Sequence, residues 1–140
     1  MTSLELKEIK RILIIEDEEI ILKNIQSFVI RYGIKIDGIS SPEEGQKLYC
    51  NTPTEFSLVI LDINLPGING IDLYKRLKEC NPDQKFVFIT GYSEYTIPKN
   101  DPNILYTLIK PFKSIQLAEI IQRVANIEEL EKKNKVKKEN

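Results

Sequence analysis

The chain contains no histidine. That absence removes imidazole as a general base and as a metal ligand, and it prevents the chain from acting as its own phosphohistidine donor. Cysteine is scarce: Cys50 and Cys80 lie far apart with no CxxC pair, so they read as reduced, half-buried helix thiols rather than a zinc site or a disulfide framework. No apolar run reaches transmembrane length, and the N-terminus (MTSLELKEIK) lacks the apolar region of a secretory signal. A soluble, cytoplasmic protein is the expectation. Charge of one sign is not in excess either, since 20 basic and 21 acidic residues leave a formal net charge of −1. Nothing in that balance points to nucleic acid or to an anionic membrane. No glycine-rich loop follows the first apolar run, which argues against nucleotide binding.

What is present is enough apolar material for one core. With 140 residues, 41% of them hydrophobic, the chain suits a single domain with tails. The expected division is an N-terminal extension over 1–9, a domain over 10–125 and a charged extension over 126–140. Strand-like runs at Arg11 to Ile15, Ile34 to Ile39, Ser57 to Leu61, Lys85 to Thr90 and Ile104 to Ile109 alternate with helical patterns, the signature of an α/β domain with a parallel sheet. The first, third and fourth runs are almost continuously apolar, as strands covered on both faces should be.

Helical spacing of Ile21, Ile25, Phe28, Val29 and Tyr32 predicts a first helix over Glu18 to Tyr32, closed by Gly33. Ser41 and Pro42 open a second helix, with Glu43 and Glu44 in its first turn. A third runs from Gly70 to about Cys80 and stops at Asn81 and Pro82. The last begins near Ser114 and buries Leu117, Ile120, Ile121 and Val124. Between the fourth and fifth strands, GYSEYTIPKNDPN (residues 91–103) carries Gly91, Pro98 and Pro102 and few apolar residues. The fourth helix of the alternation is therefore expected to be short or partly loop, one or two turns around Ser93 to Ile97. Beyond Asn126 the apolar register runs onto Glu131, Asn134 and Lys138, so the tail reads as a fraying helix extension, a linker or a partner-binding segment rather than a coiled coil.

Three of the apolar runs end on charge: the first on Glu16 and Asp17, the third on Asp62, the fifth on Lys110. A parallel sheet gathers the carboxyl ends of its strands along one edge, and the order 2-1-3-4-5 sets the first and third strands side by side. Each residue alone has a plainer reading. Asp62 can bond the backbone of the turn that Pro66, Gly67 and Gly70 impose, Asp17 can cap the first helix, Glu18 and Glu19 can complement its dipole, Thr90 can be an ordinary strand residue, and Lys110 can pair with Asp62. Together they are harder to dismiss, because two like charges about 4 Å apart repel by roughly 4 kcal/mol at an effective dielectric of 20. A cluster of hard oxygen donors without histidine or cysteine suits Mg²⁺ or Mn²⁺. A carboxylate there is nucleophilic without a general base, provided its charge is offset and the phosphoryl group is held in line.

The segments ILIIEDE (12–18), VILDINLPGING (59–70), FVFITGY (86–92) and LIKPF (108–112) occur in the order and near-spacing of a known family. Over roughly Lys10 to Ala125 the chain resembles a response regulator receiver domain of two-component signalling, a member of the CheY-like superfamily. The resemblance implies a (βα)₅ flavodoxin-like three-layer sandwich with strand order 2-1-3-4-5. It implies Mg²⁺-dependent phosphorylation of Asp62 by a sensor histidine kinase or phosphotransfer protein, followed by a change in binding to a downstream protein. In the matching positions Asp17 is a direct metal ligand, Glu16 acts through water, and Asn64 contributes its backbone carbonyl. Thr90 and Lys110 match the switch hydroxyl and the phosphate-binding lysine, and Lys110–Pro111 is expected to be a cis peptide. Asn64 and Tyr92 flank the expected path of attacking water. Such a protein is not an enzyme on other substrates; it catalyses only its own phosphorylation and dephosphorylation.

The departures concern output. Thr107 stands where many receivers carry an aromatic residue, and strand alternation turns the neighbouring Tyr106 to the opposite face. The chain also remains readable as a phosphorylation-independent interaction module, which retention of all five site residues argues against. An aspartate-nucleophile phosphatase usually wants a second acid two residues after the nucleophile; here that residue is Asn64.

Overall fold

The computed structural model describes residues 11–91, 97, 98 and 100–124. Of the turns predicted around Ser93 to Ile97 only Ile97 is described; the rest of that stretch, Tyr92 and the two terminal extensions lie outside the described residues. Five parallel strands form one sheet: β1 (Arg11–Ile15), β2 (Lys35–Ile39), β3 (Leu58–Asp62), β4 (Phe86–Thr90) and β5 (Ile104–Ile109), in the order β2-β1-β3-β4-β5. The helices are α1 (Glu19–Ile30), α2 (Pro42–Asn51), α3 (Gly70–Cys80) and α4, helical over 114–124.

Alternation along the strands builds a core on each face of the sheet. Ile12, Ile14, Ile60, Val87 and Ile89 pack with Leu22, Ile25 and Val29 of α1 and with Leu117, Ile121 and Val124 of α4. Leu13, Ile15, Val59, Leu61 and Phe88 pack on the other side with Tyr49 of α2 and with Leu73, Tyr74 and Leu77 of α3. β3 and β4 are buried at every position, which explains why those runs carry almost no polar residue. Among the described residues no helix is long and apolar enough to cross a membrane.

Local signals place the ends. Gly33 adopts φ +73° and its N–H bonds the carbonyl of Ile30, so α1 stops two residues earlier than its apolar spacing suggests. Ser41 Oγ accepts from the Glu44 amide, and Pro42 fills the first position of α2. Gly67 takes φ +80° in the turn after β3. Gly70 is there for a different reason: a Cβ would lie 2.2 Å from Cα of Ile63, so α3 can start against the loop only without a side chain.

The cysteines correct the sequence reading. Cys50 and Cys80 form a disulfide, with their Cα atoms 5.5 Å apart. Both sit near helix C-termini, and α2 and α3 lie side by side on one face of the sheet, a proximity that spacing in sequence does not disclose.

The segment between β4 and β5 is anchored to α3 at its far end. Asp101 accepts from the hydroxyl of Tyr74, from Nζ of Lys78 at 2.5 Å and from the Asn103 amide at 2.9 Å. Desolvation raises the Asp101 carboxyl, but those donors outweigh it and hold the group below its ordinary value.

Candidate functional site

β1 and β3 pair in register, Ile15 beside Leu61, so the residues that follow emerge together at the carboxyl edge. Glu16, Asp17 and Asp62 each bring a carboxylate oxygen within 4.8 Å of the others. Glu16 has no exposed surface and Asp62 is 1% exposed, whereas Asp17 is open to solvent. Lys110 follows β5 on the same edge, its amide bonded to the Thr90 carbonyl at 2.8 Å. Its ammonium lies 3.0 Å from Glu16 Oε1, 3.2 Å from Asp62 Oδ2 and 3.0 Å from Glu18 Oε1. The Lys110–Pro111 peptide is cis, as the resemblance implies.

Electrostatics follow from that crowding. Burial lowers the Lys110 pKa, but Glu18, Glu16 and Asp62 more than reverse this and hold the ammonium charged well above its usual range. Burial pushes the Glu16 carboxyl up to about 7; the Asp62 charge adds to the rise, while the Glu18 amide and Lys110 oppose it. Glu16 Oε1 carries both of those bonds, and Oε2 is buried with no hydrogen-bond partner. An orphaned carboxylate oxygen beside two further carboxylates is a donor set that fits a hard divalent cation.

Asn64 ties the loop after β3 to the end of β4. Its amide N–H donates to Asp62 Oδ1 at 2.8 Å, and its Oδ1 accepts from the Thr90 hydroxyl at 3.1 Å and from the Gly91 amide at 2.9 Å. Thr90 is fully buried. Alternation puts Thr90 on the face of Phe88, and Thr107, paired with Phe88, shares it. Tyr106 is paired with Val87 and packs on the opposite face, where the Arg123 guanidinium lies 5.9 Å from its ring centre. The switch position therefore has no aromatic partner in β5.

The structure brings Glu16, Asp17, Asp62, Asn64, Thr90 and Lys110 to one edge. Two contributions escaped sequence reasoning. Glu18 is the N-cap of α1 but makes no side-chain cap bond; its carboxylate turns to Lys110, which corrects its reading as a helix-dipole residue. The Asn64 side chain, rather than its backbone alone, engages Thr90. The Glu16-Asp17-Glu18 run was the available signal for the first; the second had none.

A sequence profile of the response regulator receiver domain matches residues 12–122. The response regulator receiver protein CpdR of Brucella abortus (strain 2308) is 30% identical over 117 residues, which cover 82% of this chain and 96% of CpdR. Other curated relatives are longer, and the chain spans less than half of their length. Among solved structures, a CheY-like receiver domain protein from Methanospirillum hungatei JF-1 superposes with TM-score 0.77 at 25% identity, covering 88% of this chain and 98% of that one. The response regulator TrrA of Thermotoga maritima, crystallised in complex with Mg(2+)-BeF, gives 0.67 at 29% identity, covering 82% and 98%. This chain belongs to the response regulator receiver domain family, the signalling modules of two-component systems.

Proposed function

We propose that the domain is a phosphoacceptor switch in which Asp62 takes a phosphoryl group from a phosphohistidine on a sensor histidine kinase or phosphotransfer protein. The observation that carries this reading is the meeting of Glu16, Asp17 and Asp62 within 4.8 Å, with Lys110 bonded to two of them and Glu16 Oε2 unpartnered. Asp17, Glu16, Asp62 and the backbone carbonyl of Asn64 are the residues that would hold Mg²⁺ or Mn²⁺. When bound, the cation offsets the charge shared by the carboxylates and the phosphoryl oxygens.

The protein's own part is positioning and charge. A carboxylate oxygen of Asp62 forms the new bond to phosphorus while the phosphorus–nitrogen bond of the donor breaks; the imidazole leaves with that electron pair and picks up a proton. Lys110 already faces Asp62 and moves from carboxylate to phosphoryl oxygen as negative charge arrives. Thr90 donates its hydroxyl to a second phosphoryl oxygen, and the backbone after β4 follows it. The downstream protein reads that change, in a cytoplasmic two-component pathway.

Intact mass after incubation with acetyl phosphate tests the reading. Wild-type protein gains one phosphoryl group only with Mg²⁺, and Asp62→Ala gains none while remaining folded. A wild type that accepts phosphate neither from acetyl phosphate nor from a phosphorylated histidine donor is instead a phosphorylation-independent interaction module.

A further inference from the structure

We infer that the Glu18 carboxylate occupies the phosphoryl-binding place on Lys110 in the unphosphorylated protein and yields it when Asp62 is modified, so that Glu18 sets how tightly the site holds a phosphoryl group. This rests on the phosphoacceptor reading of Asp62 and gives Glu18 a positioning role that acts through Lys110.

An ammonium has three protons to donate. Among the described residues those of Lys110 face three carboxylate oxygens: Glu16 Oε1 at 3.0 Å, Glu18 Oε1 at 3.0 Å and Asp62 Oδ2 at 3.2 Å. A phosphoryl oxygen therefore reaches the ammonium by displacing one of the three. They differ in what displacement costs. Glu16 has no exposed surface and its Oε2 has no hydrogen-bond partner, so losing Lys110 would leave a buried carboxyl dependent on the Glu18 amide. Asp62 is 1% exposed and, in this reading, is the group that brings the phosphoryl oxygens to Lys110. The side chain of Glu18 is 58% exposed, so water replaces the bond it gives up. Glu18 is the partner that leaves.

The backbone of Glu18 is held while its side chain can turn away. Its N–H donates to Glu16 Oε1 at 3.0 Å, and its carbonyl accepts from the Leu22 amide at 3.0 Å where α1 opens. Although Glu18 stands at the N-cap, its side chain makes no cap bond, so the helix start does not depend on where the carboxylate points. The exchange moves no proton: the ammonium stays charged, one carboxylate passes into water, and a phosphoryl oxygen takes its place. Until then Glu18 draws on the positive charge that the phosphoryl group needs, and its own negative charge repels that group.

Beryllium fluoride, a phosphoryl mimic, tests this with Glu18→Gln beside Glu19→Gln, which removes the same charge from the next residue, an exposed one in the first turn of α1. The readouts are the affinity for the mimic in the presence of Mg²⁺ and the carboxyl carbon resonance of Glu18, assigned by its loss in Glu18→Gln. Glu18→Gln should bind the mimic about threefold to fivefold more tightly than wild type, the upper range for an ion pair with one partner in solvent. Glu19→Gln should stay near wild type. In the wild type, adding the mimic to protein already in Mg²⁺ should move the Glu18 resonance to the position of a solvated glutamate, a change that a purely structural role would not produce. Glu18→Gln that binds the mimic no tighter than Glu19→Gln, or a Glu18 resonance that the mimic leaves in place, overturns the inference while the phosphoacceptor reading stands. Wild-type protein that takes up no mimic removes both.

Discussion

The ammonium of Lys110 stands 3.0 Å from Oε1 of Glu16, a carboxylate with no exposed surface that is contributed from the other end of the chain. The same ammonium faces Asp62, so one positive charge serves two buried carboxyl groups. Lys110→Met should therefore destabilise the metal-free protein by about 3 kcal/mol, the low end of the range for stripping a partner from a buried charge, since Lys110 keeps some solvent contact. Mg²⁺ should raise the melting temperature of this variant more than that of the wild type, because the cation then supplies the positive charge that Lys110 no longer brings. Equal Mg²⁺-induced shifts in the two proteins would show that Lys110 does not offset the acidic cluster.

The disulfide between Cys50 and Cys80 closes a loop with a sequence separation of 30. A loop of that size restricts the unfolded chain by about 3–4 kcal/mol in the chain-entropy treatment. Denaturant unfolding of reduced and oxidised protein should differ by that amount, with both forms accepting phosphate at the same rate, since the bridge joins helix C-termini remote from the carboxyl edge of the sheet. A phosphorylation rate that falls on reduction contradicts the separation of bridge and site.

Asp101 links the segment before β5 to Tyr74 and Lys78 of α3, and its pKa is lowered in the folded state. A depressed carboxyl binds fewer protons when folded than when unfolded. Its contribution to stability is therefore complete above the unfolded value near 3.9 and disappears as pH falls through the folded one. Asp101→Asn should be less stable than wild type at neutral pH, and the gap should narrow below about pH 4. A gap that is constant from pH 7 to pH 3 would place the effect in packing rather than in charge.

How much of this was legible follows from the range of each interaction. The strands announced themselves because β1, β3 and β4 are buried on both faces and tolerate only apolar residues. Gly33, Ser41, Pro42 and the Asn81-Pro82 pair mark helix ends through local backbone chemistry, so the ends they mark could be read one residue at a time. Charges at strand ends were legible once a parallel sheet was granted, since topology alone collects Asp17, Asp62 and Lys110. The disulfide was not, because it depends on α2 lying against α3, a tertiary contact with no local trace. Nor were the turn of Glu18 toward Lys110 and the grip of Asn64 on Thr90, which depend on loop conformations that the flanking residues do not dictate. Thr107 was informative in the other direction: alternation alone separated it from Tyr106, and the structure keeps that separation.

Asp62, and no other side chain, is expected to carry the phosphoryl group. Borohydride reduction of the phosphorylated protein, followed by tandem mass spectrometry of its peptides, tests it most directly, because an acyl phosphate is reduced where it stands. Homoserine is expected at position 62, formed only in samples treated with donor and Mg²⁺. Reduction at another carboxylate, or a phosphoryl group that survives borohydride on a serine, threonine or tyrosine, would contradict it.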